Sequence, residues 1–417
     1  SIAMRIVEPI SAEVVLRDFA AIKQALMNPH LSRTFDKRSY EAGNVREGVV
    51  SIMHGRAHRD RRRLENMQFR PDILKLYERD LFPPIADAMV GEAAATGEAD
   101  LFSLGEQLSI VLAAKRAGFD LDIDDRQSHH DMVAFVDEFS QASAIVDAKD
   151  PDAIRAAVKE AHVGFHEQFG VPSITRRLNM LEALERNEIT EDDLPHDILT
   201  SLLRHRDDPA LNLTDDGVIV REAGTYLQGG THTSSQTLIN ALDLMFDSRA
   251  DHPDFWERTK TDLGFAQRVM HETLRLRPTT PQAKRRAEEA TSVGDTDIPQ
   301  GALVILDLHT ANRDPELFGE DAAEFNPDRN MTSRNPQWGL SFGAGPHICP
   351  GRKVAGGLQQ AAPGDELPDG HLFGLVAQMI QSVVQHDPAR HPTKPQAKDD
   401  RTERFTRWRE YWIAFTN

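Results

Sequence analysis

Cysteine is all but missing from this chain: Cys349 is the only one in 417 residues. A single thiol excludes an intrachain disulfide framework and agrees with a reducing, cytoplasmic setting. No apolar run approaches the roughly 20 residues needed to cross a bilayer, so no membrane anchor is expected, and the N-terminus lacks a signal-peptide pattern. Ser1-Ile2-Ala3 ahead of Met4 reads as a leftover of expression. Positive charge is also in deficit. Lys and Arg number 48 against 66 Asp and Glu, a formal net charge of −18, which argues against nucleic acid as a general partner. Internal repeats and low-complexity tracts are absent. What remains, 40% hydrophobic and 27% charged residues, suits a water-soluble globular protein with ample core. Length alone leaves one large domain or several smaller ones open.

Against the acidic background, Arg56-Ala57-His58-Arg59-Asp60-Arg61-Arg62-Arg63 is a basic island, either a solvated helix face or a binding surface. It reads as a helix, with His58 and Arg62 four apart on one face. Val14-Val15-Leu16 reads as a short strand and the stretch from Asp18 to Met27 as a helix ending before Pro29. The stretch from Ser32 to Val50 is loop-like, and residues 71–205 form a succession of amphipathic helices. A long helical pattern starts near Thr214-Asp215-Asp216, with Thr214 or an Asp as cap, and continues to about Phe246. Its middle, Gln228-Gly229-Gly230-Thr231-His232-Thr233-Ser234-Ser235, is polar. Two glycines inside a helix cost about 1 kcal/mol each relative to alanine. They point either to close helix packing or to a local opening where a small molecule meets the backbone. Next comes a helix from Phe265 to Arg277 in which Glu272 and Arg275 share a face and can pair. A turn at Pro299-Gln300-Gly301 then leads into an apolar strand.

The cysteine lies in Phe342-Gly343-Ala344-Gly345-Pro346-His347-Ile348-Cys349-Pro350-Gly351. Its glycines permit tight backbone geometry and its prolines stiffen it. A lone thiol is most simply a small buried hydrophobe. Set in a rigid loop that presents backbone amides, it is also well built to be a thiolate or a metal ligand. The stretch resembles the haem-binding signature Phe-x-x-Gly-x-His/Arg-x-Cys-x-Gly of the cytochromes P-450, in which Phe342, Gly345, His347, Cys349 and Gly351 hold the constrained positions and Gly343 belongs to the same cofactor loop.

That resemblance covers roughly Val14 to Gly351 and implies a fold that is mainly α with small β-sheets. It implies a single triangular domain over residues 1–417, built on a long central helix at about 214–246 with the cysteine loop on its proximal side. It implies haem b (iron protoporphyrin IX), with Cys349 as axial iron ligand and His58, Arg62, Arg285 and His347 around the haem propionates. Gly230 and Thr233 match the family's Gly-x-acid-Thr above the iron, where Thr233 assists dioxygen activation. His232 stands where the acid is usual, and either takes over as proton carrier or is a packed side chain without a role. Glu272, Arg275 and Arg329 correspond to a buried cluster that locks the haem loop. Two departures stand out. Fewer residues than usual precede His58, so the outer elements there are expected to be reduced. The helix expected after Cys349 is broken over residues 359–370, read as an inserted surface loop, with helix resuming near His371.

By the same resemblance the chain is a monooxygenase that places one atom of O2 into a small organic substrate, by hydroxylation or O-dealkylation. No flavin or iron–sulfur motif is present, so electrons are expected from a ferredoxin or flavodoxin-like donor with its NAD(P)H-dependent reductase. That donor would dock at Arg59, Arg61, Arg63, Arg352 and Lys353. A monomer is favoured. Two alternatives are peroxide-driven oxygen transfer and a non-catalytic haem or ligand carrier. Helix geometry puts Thr225, Gln228 and Gly229 on the face of Thr233, and the resemblance adds Thr279, Thr280 and Gln282. These predict a substrate with oxygen or nitrogen functions. The roof is expected from the Ser32–Val50 loop and the helices around His162 to Met180.

Overall fold

The computed structural model describes residues 10–33, 46–142, 148–213, 215–331, 334–400 and 407–416. Ser1 to Met4, residues 34–45 of the roof loop and the candidate cap Thr214 lie outside the described residues. The first half forms α1 (Phe19–Met27), α2 (Gly55–Glu65), α3 (Pro71–Leu76), α4 (Phe82–Ala95), α5 (Leu101–Ala117), α6 (Arg126–Gln141), α7 (Pro151–Phe165), α8 (Val171–Glu185) and α9 (Ile198–Arg204). The second half forms α10 (Asp216–Ser248), α11 (Pro253–Thr261), α12 (Leu263–Leu276), α13 (Leu308–Ala311), α14 (Pro315–Phe318), α15 (Arg352–Gly356) and α16 (Leu375–Val384).

The strands are short and lie at the margins. One sheet runs β1 (Glu13–Leu16), β7 (Leu303–Asp307), β4 (Gln282–Ala287), β2 (Leu31–Ser32), with β1 parallel to β7 and the other pairs antiparallel. A second joins β3 (Glu98–Asp100), β10 (Trp408–Phe415) and β8 (Pro388–Arg390), with β9 (Gln396–Lys398) also on β10. β5 (Thr291–Val293) and β6 (Thr296–Ile298) form a hairpin.

The central helix α10 is 33 residues long, about 50 Å at 1.5 Å per residue. Asp215 caps it, its side chain accepting the Val218 N–H at 2.9 Å. Two apolar stretches explain its burial. Val218, Ile219, Val220, Ala223 and Leu227 enter the core built with α5 through α9, whereas Leu238, Ile239, Leu242 and Met245 enter the core built with α4, α12 and α16. The polar stretch 228–236 falls between the two. The helix runs through Gly229 and Gly230 without interruption. The hydroxyls of Thr231, Thr233 and Thr237 each donate to the carbonyl four residues back, at 2.9, 2.6 and 2.8 Å.

The break after the cysteine loop is longer than the sequence suggests. α15 ends at Gly356 and helix resumes at Leu375, not near His371. The ends of this excursion meet: a Cβ at Gly374 would sit 2.4 Å from the Ala355 carbonyl oxygen. Residues 357–373 therefore loop out of what would otherwise be one helix. Gln267 pins both ends, donating to the carbonyls of Gly356, Leu358 and Leu372 at 2.8–3.0 Å.

Candidate functional site

The cysteine loop folds back on itself because Cys349 N–H donates to the Phe342 carbonyl at 2.8 Å. Gly345 adopts φ +67°, and a Cβ there would lie 2.7 Å from the Leu26 carbonyl oxygen. The loop can press against α1 only with glycine at that position. The Phe342 ring stands edge-on to Trp338, centroids 5.5 Å apart. Burial pushes the Cys349 thiol up, opposed by the N–H groups of Gly351 and Arg352 and by the charges of Arg62 and Arg352. Left alone the group is a thiol; a bound cation would draw it into the thiolate form that the two amides already favour.

Around this loop is a set of basic side chains without carboxylates among the described residues. The His58 and His347 rings lie 4.0 Å apart, bringing α2 against the loop, and Arg62 donates to the Ile348 carbonyl. Arg285, buried on β4, donates to the Lys284 carbonyl at 2.8 Å. Burial and then the His58, Arg33 and Arg285 charges push His347 down to about 2. Burial and then Arg62 push His58 down to about 4. Like charges gathered out of water disfavour ionisation, and an added carboxylate would reverse that. Among the described residues none of these four pairs with Asp or Glu. An iron porphyrin fits this donor set, since it brings a Lewis acid for the thiol and two propionates for the cations.

Glu272 accepts from Arg275 Nη2 at 2.6 Å and Nε at 2.9 Å, and from Arg329 Nε at 3.1 Å; all three are buried. The carboxylate also takes the Asn326 N–H at 3.1 Å, so the segment before the cysteine loop is tied to α12.

On the other side, Gly229 and the exposed Thr233 line a cavity of about 710 Å³, with Thr225, Gln228, Thr279 and Thr280 also in its wall. The two glycines divide the two readings between them: a Cβ at Gly230 would lie 3.1 Å from Ala113 Cβ, whereas one at Gly229 meets nothing within 4 Å. Gly230 lets α10 pack on α5, and Gly229 faces the open space. Gln282 is not in the cavity wall; as the first residue of β4 it pairs in register with Asp307. His162 and Phe165 do reach the cavity, but Met180 lines a separate shallow depression on α8.

His232 is buried, and its Nδ1 lies 3.0 Å from Glu106 Oε1 while Arg407 donates to its Nε2. A guanidinium can only donate, which places the ring proton on Nδ1, facing the carboxyl group. Burial, and next the Asp137 charge, push Glu106 up to about 8. Asp137 in turn pairs with Arg409 at 2.5 Å. Sequence reasoning missed Glu106, although the signal was available: it is a carboxylate inside Leu104-Gly105-Glu106-Gln107-Leu108, a helix buried nearly all round.

One expected docking residue is misplaced. Arg61 is fully buried, donating to Glu222 at 2.6 Å and to the Leu211 carbonyl at 3.0 Å. It lies on the inner face of α2, which packs toward α10, and cannot meet a partner. Arg59 and Arg63 are exposed, and Arg352 and Lys353 are half-buried.

Residues 10–356 match the family model described as Cytochrome P450, and the chain belongs to that family, a class of haem monooxygenases. The match ends where the 357–373 excursion begins. The chain is 26% identical over 369 residues to the cyclooctat-9-en-7-ol 5-monooxygenase of Streptomyces melanosporofaciens, covering 80% of this chain and 74% of that one. It is 32% identical over 177 residues to the luteothin monooxygenase of Streptomyces thioluteus, where the matched part spans 42% of this chain and only 40% of the relative. Among solved structures it resembles CalO2 (TM-score 0.72, 18% identity, 98% of this chain and 92% of that one). It also resembles P450BioI in complex with a hexadec-9Z-enoic acid-ligated acyl carrier protein (TM-score 0.73, 17% identity, 99% and 96%). Among the described residues no helix is long and apolar enough to cross a membrane.

Proposed function

We propose that this P450 is a haem-thiolate monooxygenase that inserts one atom of O2 into a small organic substrate, using electrons from a separate donor. The observation that carries the reading is Cys349, the sole thiol, set beneath two backbone amides and beside four basic side chains that pair with no carboxylate among the described residues. Haem b bound there would supply oxygen activation and transfer, with thiolate donation favouring O–O cleavage. Cys349 would hold the iron; His58, Arg62, Arg285 and His347 would hold the propionates. Thr233 presents a hydroxyl to the cavity whose own proton is committed to the Gly229 carbonyl at 2.6 Å, so its lone pairs accept from water or substrate. His232, backed by Glu106, is the proton carrier one residue away. No carboxylate stands on α10 at that point, and Glu106 on α5 supplies one from across the helix pair.

A small acidic ferredoxin or flavodoxin-like protein docks where α2 meets the cysteine loop, using the exposed Arg59 and Arg63 with Arg352 and Lys353. The test is turnover with a ferredoxin, its reductase and NAD(P)H under isotopically labelled O2. One labelled atom in the product, with a rate that falls as salt rises, is the expected outcome. Turnover with peroxide alone would replace this reading with the peroxygenase one. Haem binding without substrate-dependent reductant use would leave a carrier.

A further inference from the structure

The protein carries a formal charge of −18, yet its cavity wall is cationic. Among the described residues, Arg33, Arg46, Arg221, Arg277, Arg313, Lys398 and Arg407 line it against one carboxylate, Asp243. The chain thus places its scarcer charge around this interior space, and a chance sampling of its composition would give the opposite sign. Neutral hydrocarbon substrates gain nothing from such a wall, because they offer its charged groups no hydrogen bond in place of the water they displace.

The excess is greatest at the end formed by Arg277, Arg313 and Lys398. Asp243 cannot neutralise all three. It already pairs with Arg277 at 2.5 Å and Arg390 at 2.6 Å, and accepts the Tyr411 hydroxyl at 2.6 Å. Asp247 is shared between Arg390 at 2.7 Å and Arg277 at 3.7 Å. Arg313 donates only to main-chain carbonyls, those of His309 at 2.9 Å and Leu276 at 2.6 Å. Lys398 Nζ sits 3.1 Å over the Trp408 ring and has no carboxylate within ion-pair distance among the described residues. Of the acids near Arg313, Asp307 lies 3.8 Å from Arg17, and Glu272 is held by Arg275 and Arg329. These groups also act on one another. Burial and then Arg277 lower Lys398 to about 8, with Asp243 opposing; burial and then Arg275 and Arg277 lower Arg313.

We propose that the cavity takes an organic anion, its carboxylate or sulfate group held by Lys398 and Arg313 beside Arg277. An oxyanion there relieves the repulsion among the three cations and accepts charge-assisted hydrogen bonds from ammonium and guanidinium. The anionic group marks the far end of the substrate, and the carbon skeleton runs toward Gly229 and Thr233. This rests on the monooxygenase reading only in taking the cavity to be the substrate site.

The test uses the haem-loaded protein and a panel of aliphatic, terpenoid and aromatic carboxylic acids, each beside its methyl ester, with aryl sulfates beside their parent phenols. Binding is read from the haem spectral shift and, independently, from the rise in melting temperature. Acids or sulfates should bind at least tenfold more tightly than their neutral counterparts in low salt. That preference should shrink at least fivefold in Lys398→Gln and weaken as ionic strength rises. The arm that wins, carboxylate or sulfate, identifies the head group. Neutral counterparts binding as tightly as the anions, an unchanged preference in Lys398→Gln, or no binding by any anion of the panel would each overturn the proposal. Failure of the monooxygenase reading would show separately, as protein that takes up no haem or lacks a thiolate-type carbon monoxide spectrum.

Discussion

The two sides of the site were built under different constraints. On the cysteine side almost every feature is a backbone requirement: Gly345 against the Leu26 carbonyl, Cys349 N–H on Phe342, Gln267 pinning the start of the 357–373 excursion. Few residue types satisfy such demands, so the stretch is recognisable from its letters. On the central-helix side the chemistry is carried by side chains on a continuous helix, and these can be exchanged between neighbours. The carboxyl group faces His232 from α5 instead of standing on α10. A holding site constrains sequence tightly; a proton-handling site constrains only which groups end up close together.

The contrast can be broken most severely at Cys349. Cys349→Ser should abolish oxygen transfer and the thiolate spectrum while leaving the helical content seen by circular dichroism. Glu272→Gln comes next. It leaves buried Arg275 without its carboxylate and Arg329 with Asp321 alone, and should cost about 3–5 kcal/mol, read as an earlier denaturant midpoint with loss of haem. Unchanged stability would mean the cluster is dispensable. Thr233→Ala should slow product formation about a hundredfold with haem content intact, and equal rates would remove Thr233 from the chemistry.

Smaller effects sharpen the comparison. Gly230→Ala pushes a methyl against Ala113 and should cost about 1–3 kcal/mol. Gly229→Ala meets nothing and should instead gain up to about 1 kcal/mol from helix propensity. Denaturant melts of the pair decide between packing and openness as the reason for the two glycines. The smallest effect is a pH slope. Glu106, held protonated up to about 8 by burial and by Asp137, keeps its proton in the folded state after the unfolded chain has released its own. Stability should therefore fall as pH rises from the ordinary carboxyl range to about 8. Glu106→Gln should flatten that slope, and an identical slope would show that Glu106 ionises normally.

The sequence made the helical class, the cysteine loop, the His58–Arg62 helix and the Glu272–Arg275 pair legible, because each is a local pattern or a short-range spacing; Arg329, 57 residues from Glu272, was reachable only through the family resemblance. It misjudged what depends on which face of a helix is turned inward. Arg61 looked like surface charge but lies on the inner face of α2, where Glu222 holds it. Gln282 looked like pocket lining but is committed to strand pairing with Asp307. Glu106 went unnoticed because its partner is 126 residues away in the chain. The cationic wall could not be read in advance, since Arg277, Arg313 and Lys398 come together only when β9, α12 and the segment after α13 are assembled.

The most direct test of the account is the absorption spectrum of the dithionite-reduced, haem-loaded protein before and after carbon monoxide. A strongly red-shifted Soret band, lost in Cys349→Ser, is the predicted result, and it would make the only cysteine the iron ligand. A histidine-type band in the native protein, or a red-shifted band that survives Cys349→Ser, would contradict the central claim.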